Sequence, residues 1–151
     1  MVVSGSEASV SAAKYAIVMA KASQSMLYAV YVVDEAAVRK LTLSKVFVQE
    51  ESLEYQNSLE ANGKRYLSFI EDLARAKNVK IGIEIRKGIT YSEIIAAAAE
   101  KKADLIILGA WEKDRKSRDI ISHSGREIII HAKCSVLLVK EPNIDRIYNQ
   151  A

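Results

Sequence analysis

The feature that most limits the fold is a set of short, almost wholly apolar runs separated by longer stretches of helical character. SMLYAVYVVDE (25–35), DLIILG (104–109) and SVLLVKE (135–141) are rich in β-branched and aliphatic residues. They are apolar throughout rather than at every second position, which is typical of strands buried on both faces of a parallel sheet. Because such a sheet needs helices on both sides, these runs favour an α/β fold.

Helical patterns fill the intervals, and we predict helices over about 6–22, 50–77, 90–103 and 122–133. Two further strands are expected at VVS (2–4) and at VKIGIEIRKG (79–88). In the second of these, Val79, Ile81, Ile83 and Ile85 alternate as on one buried face. The order β-α-β-α-β-α-β-α-β predicts parallel pairing with right-handed crossovers. The expected architecture is a three-layer α/β/α sandwich around a five-stranded parallel sheet, Rossmann-like in outline.

Several local features follow from residue type. Ser6 is a fair N-cap for the first helix, and TYSE (90–93) has the pattern of a capping box between Thr90 and Glu93. Gly63, inside the long helix, is expected to mark a bend. The pattern leaves open whether the connection over 36–48 contains a helical turn. Pro142 ends the last strand, so we expect one domain over 1–141 and a loose C-terminal tail over 142–151.

Composition narrows the class of protein. The 151 residues suffice for one domain with a real core, and half of them are hydrophobic. The net charge of +3 is spread among both signs, so a concentrated basic face for nucleic acid is not expected. No apolar run approaches the roughly 20 residues of a membrane span, and no signal peptide is visible. We therefore expect a cytoplasmic protein. The brevity of the first strand suggests that a few residues precede Met1 in the natural chain.

Residues for metal or covalent chemistry are few. Cys134 is the single cysteine and lies in an apolar run, where a buried thiol behaves as a small hydrophobe. Two histidines and one cysteine, not clustered in sequence, lack the spacing of a metal site. His123 stands between Ser122 and Ser124, but sequence neighbours rarely meet in triad geometry and a third group is not evident. We expect neither catalytic residues nor a metal ligand set.

The loops at the carboxyl edge of the sheet are where a ligand is expected, because parallel α/β sheets bind there. They are 4–7, 33–35, 87–89 and the stretch from Gly109 onward. Gly5 and Gly109 precede helices, whose unpaired N–H groups and positive dipole ends attract anions. The dinucleotide fingerprint G-x-G-x-x-G and the P-loop motif are absent. A phosphoacceptor domain would need a carboxylate where the first strand supplies Ser4.

Three stretches carry a resemblance to a known family. VVSGSEASVSAAKYAIVMA, KGITYSEIIAAAAEKKADLIILGA and REIIIHAKCSVLLVKE occur in that order over nearly all of 1–141. They resemble the opening, the third loop with its helix and strand, and the closing helix and strand of the universal stress proteins. The resemblance implies that family's fold, which is adenine nucleotide alpha hydrolase-like. It also implies a homodimer formed by antiparallel pairing of the last strand, 134–140, with help from the long helix. In this strand order the last strand is an apolar sheet edge, which invites pairing.

ATP-binding members of that family carry the motif G-x-x-G, nine residues, then G-[ST]. Here its first glycine is Gly109, its second falls on Glu112, and its final pair falls on Ser122-His123. The aspartate that contacts nucleotide in those members is Ser4. The length of the loop is retained and much of its chemistry is changed. By resemblance, the residues that would line a nucleotide site are Ser4, Gly5, Ser6, Val33, Gly109, Ala110, Glu112, Ser122, His123 and Ser124.

A side chain at position 112 brings an anion toward the place of a phosphate. Two unit charges about 5 Å apart at an effective dielectric near 20 repel by roughly 3 kcal/mol. Bound Mg²⁺ would reverse that sign, because Glu112 and Asp114 are hard oxygen ligands. Seven of the nine residues over 111–119 are charged, with both signs present. This pattern is typical of a solvated loop, and a basic lid over phosphates is the alternative.

Three functions remain open at this level. The first is a dimeric regulatory or protective stress protein with a degenerate motif, no resident cofactor and no strong ATP binding. The second is an ATP- or AMP-binding protein, with Mg²⁺ and at most slow hydrolysis. The third, an enzyme for another small molecule, has no set of catalytic residues in its support.

Overall fold

The chain forms five strands and six helices within the residues that the structure describes. The computed structural model describes residues 1–43, 49–110 and 121–151. The strands are β1 (Val2–Val3), β2 (Leu27–Asp34), β3 (Ile81–Gly88), β4 (Leu105–Gly109) and β5 (Ser135–Val139). The helices are α1 (Glu7–Ser23), α2 (Glu35–Leu43), α3 (Gln49–Ala76), α4 (Thr90–Glu100), α5 (His123–His131) and α6 (Ile144–Gln150).

All strand pairs are parallel, but they form two sheets. One has the order β1-β2-β3 and the other joins β4 to β5. The predicted five-stranded sheet is therefore not confirmed, although parallel pairing is. The reason lies in β1, which is two residues long and pairs only Val2 with Val30 and Val3 with Tyr31. So short a strand offers few backbone groups for a second ladder with β4.

Side chains join the two sheets into one core. On one face, Ile17 of α1 packs with Ile107 of β4 and Val139 of β5. On the opposite face, Val30 of β2 packs with Ile106 of β4 and with Ile128 of α5. Because successive strand residues point to opposite faces, these contacts place helices on both sides of the strands. The α/β/α layering that the sequence predicts is present.

Helix α1 begins and packs as its residues suggest. The Ser6 hydroxyl accepts a hydrogen bond from the Ser9 N–H at 3.1 Å, which confirms the predicted N-cap. Its inner face consists of small side chains, so the helix lies close to the strands. The buried alanines are Ala8, Ala12, Ala13, Ala16 and Ala20.

Glycine 63 has a packing role that the sequence did not predict. Helix α3 is continuous from Gln49 to Ala76, with Gly63 in its interior. A Cβ at Gly63 would lie 2.4 Å from Cδ1 of Tyr31, whose ring is buried on β2. The glycine therefore allows α3 to approach the tyrosine ring. In the connection that the sequence left open, residues 35–43 form α2, while 44–48 lie outside the described residues.

Two local predictions are wrong, those of the capping box and of the burial of Ile83. The N-cap of α4 is Ile89, and Thr90 is already helical, so Thr90 and Glu93 do not form a capping box. Glu93 instead accepts a hydrogen bond from Arg86. Ile83, expected on the buried face of β3, is 43% exposed because β3 is an edge strand.

The C-terminal tail is also not loose. Residues Ile144–Gln150 form α6, in which Ile144 and Tyr148 are buried. The Tyr148 hydroxyl donates to the carbonyl oxygen of Leu73 at 2.7 Å, and Lys14 pairs with Asp145. Helix α6 therefore closes the core between α1 and α3. Over the described ranges, none of the helices is both long and apolar enough to cross a membrane.

Candidate functional site

A cavity of about 420 Å³ lies at the carboxyl ends of β1 and β4, between the starts of α4 and α5. This is the edge at which parallel α/β sheets bind ligands. Its base is apolar and includes Val2, Leu108 and Leu138. Its upper wall carries six hydroxyl groups, those of Ser4, Ser6, Ser9, Thr90, Ser122 and Ser124.

A second cavity, of about 430 Å³, lies at the opposite edge and is lined by Lys21, Lys77 and Lys80 among others. Lys77 is engaged there, because its ammonium donates to the carbonyl oxygen of Ala151 at 3.3 Å and lies over the Tyr148 ring. The lysines of this second cavity stand beside the C-terminal ends of α1 and α3, whose dipoles they complement. We therefore place the candidate site at the hydroxyl-lined cavity.

The loop between β1 and α1 is fixed by its own serines. The Ser4 N–H donates to the Ser9 hydroxyl oxygen at 2.9 Å, and the Ser4 and Ser6 hydroxyl oxygens are 3.2 Å apart. Gly5 has a φ of +77°, which favours glycine, and Tyr66 of α3 packs against it so closely that a Cβ would lie 2.5 Å from the ring. The loop is therefore held from both sides.

Gly109 is explained by packing against α1. A Cβ at this position would lie 2.4 Å from the carbonyl oxygen of Ala8, which is backbone and cannot turn aside. The next residue, Ala110, donates its N–H to the Val139 carbonyl oxygen at 3.1 Å and so continues the β4–β5 ladder. The glycine at the start of the degenerate motif therefore has a structural reason that needs no phosphate.

The start of α5 forms the far wall. The Ser122 hydroxyl is the N-cap and accepts from the Gly125 N–H at 3.0 Å. Ser124 is half-buried and lines the cavity, whereas His123 between them is exposed and does not. A serine–histidine catalytic arrangement is not formed by these three residues.

The other predicted site residues divide as follows. Ser4, Ser6, Gly109, Ala110, Ser122 and Ser124 come together around the cavity. Gly5 and Val33 do not line it, and the Val33 side chain is buried among Val3 and Leu67. Glu112 lies outside the described residues, as does the charged stretch over 111–119.

Sequence reasoning missed the pair formed by Thr90, which lines the cavity, and Asp34. The Thr90 hydroxyl donates to Oδ2 of Asp34 at 3.3 Å, and Thr90 lines the cavity. Asp34 ends β2, and Thr90 follows the end of β3, so both lie on the loops at the carboxyl edge. That shared edge was the available signal. The capping-box pattern concealed it, because it assigned Thr90 to the backbone.

A cluster of ion pairs holds α4 against β3. Nε of Arg86 on β3 lies 2.8 Å from Oε2 of Glu93, and its terminal nitrogens lie 2.9 and 3.1 Å from the Glu100 oxygens. These bonds, first Glu100 and then Glu93, raise the pKa of Arg86. Glu84 also contacts Arg86 at 3.0 Å, and its pKa is lowered first by the hydrogen bond from Lys101. Helix α4 therefore has a fixed start even without a capping side chain.

Groups suited to a metal ion are not evident in the described part of the chain, where three or more histidine, cysteine or acidic side chains nowhere converge. Catalytic carboxylate pairs are likewise not among the cavity residues described above. The arrangement can bind a small polar molecule through hydroxyl groups over an apolar floor. It defines a binding crevice at the end of a parallel α/β sheet.

Comparison with known proteins agrees with this class. A model of the universal stress protein family matches residues 1–140. Universal stress protein MJ0531 of Methanocaldococcus jannaschii is 35% identical over 138 residues, which cover 91% of this chain and 78% of that protein. Among solved structures, UspA from Lactobacillus plantarum is similar with a TM-score of 0.77 and 26% identity, over 92% of this chain and 94% of that one.

A universal stress protein solved in complex with cAMP is also similar in fold. Its TM-score is 0.63 and its identity 21%, over 91% of this chain and 93% of that one. The chain belongs to the universal stress protein family.

Proposed function

We propose that this protein is a cytoplasmic, homodimeric regulatory module of the stress response that does not bind ATP strongly. Its support is the state of the backbone amides around the cavity. The N–H groups of Ser4, Ser9 and Gly125 are already bonded to serine hydroxyls of the same chain. A triphosphate needs several unengaged amides and close approach to bare backbone.

The residue changes in the motif act in the same direction. Ser4 replaces the aspartate that contacts nucleotide in binding members, and Glu112 replaces a glycine. Of the glycines that the motif requires, Gly109 remains, and its packing against Ala8 gives it another role. The degenerate motif thus retains the sheet edge without most of the chemistry that holds phosphates.

Calorimetry with ATP, with and without Mg²⁺, tests this proposal. We expect dissociation constants weaker than about 100 µM, which correspond to less than about 5.5 kcal/mol of binding free energy. Combining Ser4→Asp, Glu112→Gly and Ser122→Gly should strengthen ATP binding, and glycine at an N-cap costs only a few tenths of a kcal/mol. Ser92→Ala, an exposed change on α4, is the matched control. Low-micromolar binding by the parent chain would contradict the proposal.

The dimer is proposed to form through the edge of β5, over 134–140. Within the described residues β5 has a ladder partner on one side only, which is β4. Its half-buried residues Val136, Leu137 and Leu138 are all apolar. The opposite edge strand, β3, carries the charged Glu84, Arg86 and Lys87 instead. Charge protects an edge from pairing, so β5 is the edge suited to a second copy.

Light scattering should give twice the 16.7 kDa mass of one chain. Hydrogen exchange supplies the internal control, because alternate amides of an unpaired edge strand exchange fast. In the dimer, all amides of β5 should be slow, while the outward amides of β3 stay fast. A monomeric mass, or fast alternate amides in β5, would count against this interface.

A second candidate function is the binding of a small adenine nucleotide such as AMP, or ATP with Mg²⁺. It is favoured by the cavity itself, because about 420 Å³ lies within the 300–1,000 Å³ typical of small-molecule sites. The structural neighbour in complex with cAMP belongs to the same family and fold, and it contributes the ligand class to be tested. Calorimetry with AMP and cAMP decides this candidate: no heat at millimolar ligand would exclude it.

A further inference from the structure

The hydroxyls of the cavity have unequal hydrogen-bonding roles, which follow from the partners they already have. A hydroxyl has one proton to donate and two lone pairs to accept with. A serine oxygen that accepts from a backbone N–H keeps its proton for another partner. Ser9, which accepts from the Ser4 N–H, and Ser122, which accepts from the Gly125 N–H, are of this kind. Their side of the cavity can donate hydrogen bonds to a ligand.

Thr90 is the opposite case. Its proton is directed to Oδ2 of Asp34 at 3.3 Å, because a carboxylate can only accept. The lone pairs of Thr90 remain for the cavity that it lines. The Arg86–Glu93 bond holds the first turns of α4 in place, so the threonine has a defined position. This wall can accept hydrogen bonds, and the carboxylate beside it repels anions.

We propose that Thr90, oriented by Asp34, is a specificity residue that accepts a hydrogen bond from a ligand hydroxyl, while the serine-bearing starts of α1 and α5 take an anionic oxygen. A phosphate at neutral pH offers acceptors, so it suits the donor side and not the Thr90 wall. The ligand class is a small phosphomonoester with free sugar hydroxyls, and a nucleoside monophosphate fits it. This inference rests on the second candidate function and names the ligand groups that the site would recognise.

Three probes separate the inference from that function, namely AMP, 2′,3′-dideoxy-AMP and ribose 5-phosphate, each measured by calorimetry. We expect AMP to bind up to about tenfold more tightly than dideoxy-AMP, the usual scale for one hydrogen bond between neutral groups. Thr90→Val should weaken AMP binding up to about tenfold and leave dideoxy-AMP binding unchanged. The ratio of the two dissociation constants should therefore approach one. Thr90→Ser should restore it, because serine keeps the hydroxyl.

Asp34→Asn tests the orienting group. An amide can donate to Thr90 and let its hydroxyl turn toward the cavity, so the AMP to dideoxy-AMP ratio should fall below that of the parent. Ser92→Ala, two residues along α4 and exposed, should leave every ratio unchanged. Circular dichroism on each variant identifies any that has not folded, and Thr90→Ser then supplies a folded comparison.

The outcomes are distinct. Equal affinity of the parent for AMP and dideoxy-AMP overturns the inference while the nucleotide function stands. Binding of ribose 5-phosphate but not AMP, lost in Thr90→Val, supports the inference and overturns the nucleotide function. Absence of binding for all three probes at millimolar concentration overturns both.

Discussion

Three helices begin at the same cavity, and they begin in two different ways. Helices α1 and α5 each have a serine N-cap whose hydroxyl accepts from a backbone N–H of the first turn. Helix α4 begins after Ile89, without a capping side chain, and its first hydroxyl donates to Asp34 instead. Arg86 of β3 holds this helix instead, through Glu93 in its first turn and Glu100 at its end. Because ion pairs with β3 hold α4, the polar residue at its start is not needed as a cap and is left for the cavity.

The largest effect is expected from a change that disturbs the packing of α1 against Gly109. Gly109→Ala should lower the free energy of unfolding by about 3 kcal/mol, because the new Cβ meets the backbone carbonyl of Ala8. Chemical denaturation measures it. Gly82→Ala is the matched control: there the nearest atom belongs to the Tyr28 ring at 2.9 Å, which can move. Equal losses in both variants would mean that α1 does not constrain Gly109.

The next effect tests the support of α4. Arg86→Met should cost about 2 kcal/mol, because three carboxylates lose their shared partner at a mostly buried side chain. Lys64→Met removes an exposed pair at 4.0 Å and should cost less than about 0.5 kcal/mol. Denaturation of both variants at neutral pH gives the comparison. A loss for Arg86→Met no greater than for Lys64→Met would show that the cluster does not hold α4.

The same cluster predicts a pH dependence. The pKa of Glu100 is lowered, first by the hydrogen bond from Arg86, whereas the pKa of Glu84 is lowered first by Lys101, which Arg86→Met leaves in place. A lowered carboxyl pKa adds stability above the unfolded value of about 4.5, and this is lost as pH falls through the folded pKa. The difference in stability between the parent chain and Arg86→Met should therefore shrink below about pH 4.5. A difference that is constant from pH 7 to pH 3 would contradict the ion-pair explanation.

A smaller effect compares the two capped starts. Ser6→Ala and Ser122→Ala should each cost about 1 kcal/mol, the usual value of an N-cap. Ser124→Ala, in the first turn of α5 but not its cap, is the control and should cost clearly less. If Ser124→Ala were as costly as Ser122→Ala, the capping hydrogen bond would not be the cause.

The smallest effect decides the comparison. Thr90→Val should change the free energy of unfolding by less than about 0.5 kcal/mol, because Thr90 caps no helix and its bond to Asp34 is long. Thermal denaturation of Thr90→Val and Ser6→Ala together compares this loss of stability with that of a true N-cap. A loss near 1 kcal/mol would indicate that Thr90 acts as a cap in solution, as its sequence pattern suggests.

The sequence was sufficient for features set by periodicity and composition. Continuous apolar runs predicted parallel strands buried on both faces, and Ser6 before an alanine-rich stretch predicted the start of α1. Features that depend on a distant partner were not accessible. Thr90 and Glu93 have the spacing of a capping box, but Asp34 and Arg86 compete for them from other strands.

The same limit applies to the glycines and to the tail. Gly63 has a role only because the Tyr31 ring lies opposite, and Gly109 only because α1 begins beside it. The tail folds because Ile144 and Tyr148 find a place between α1 and α3. Each of these contacts joins residues far apart in sequence, so a local pattern contains no sign of it. For the site, the sequence identified the edge and most of the serine hydroxyls but not the acceptor wall.

The two-residue β1 has a consequence for energetics. The sheet that contains β1 and the sheet formed by β4 and β5 are joined through side chains. The cavity lies across this junction, with Ser4 from the first part and Gly109 from the second. A molecule bound there would contact both parts and link the two sheets. Its binding would then add to the free energy of unfolding, by an amount that grows with the logarithm of its concentration above the dissociation constant.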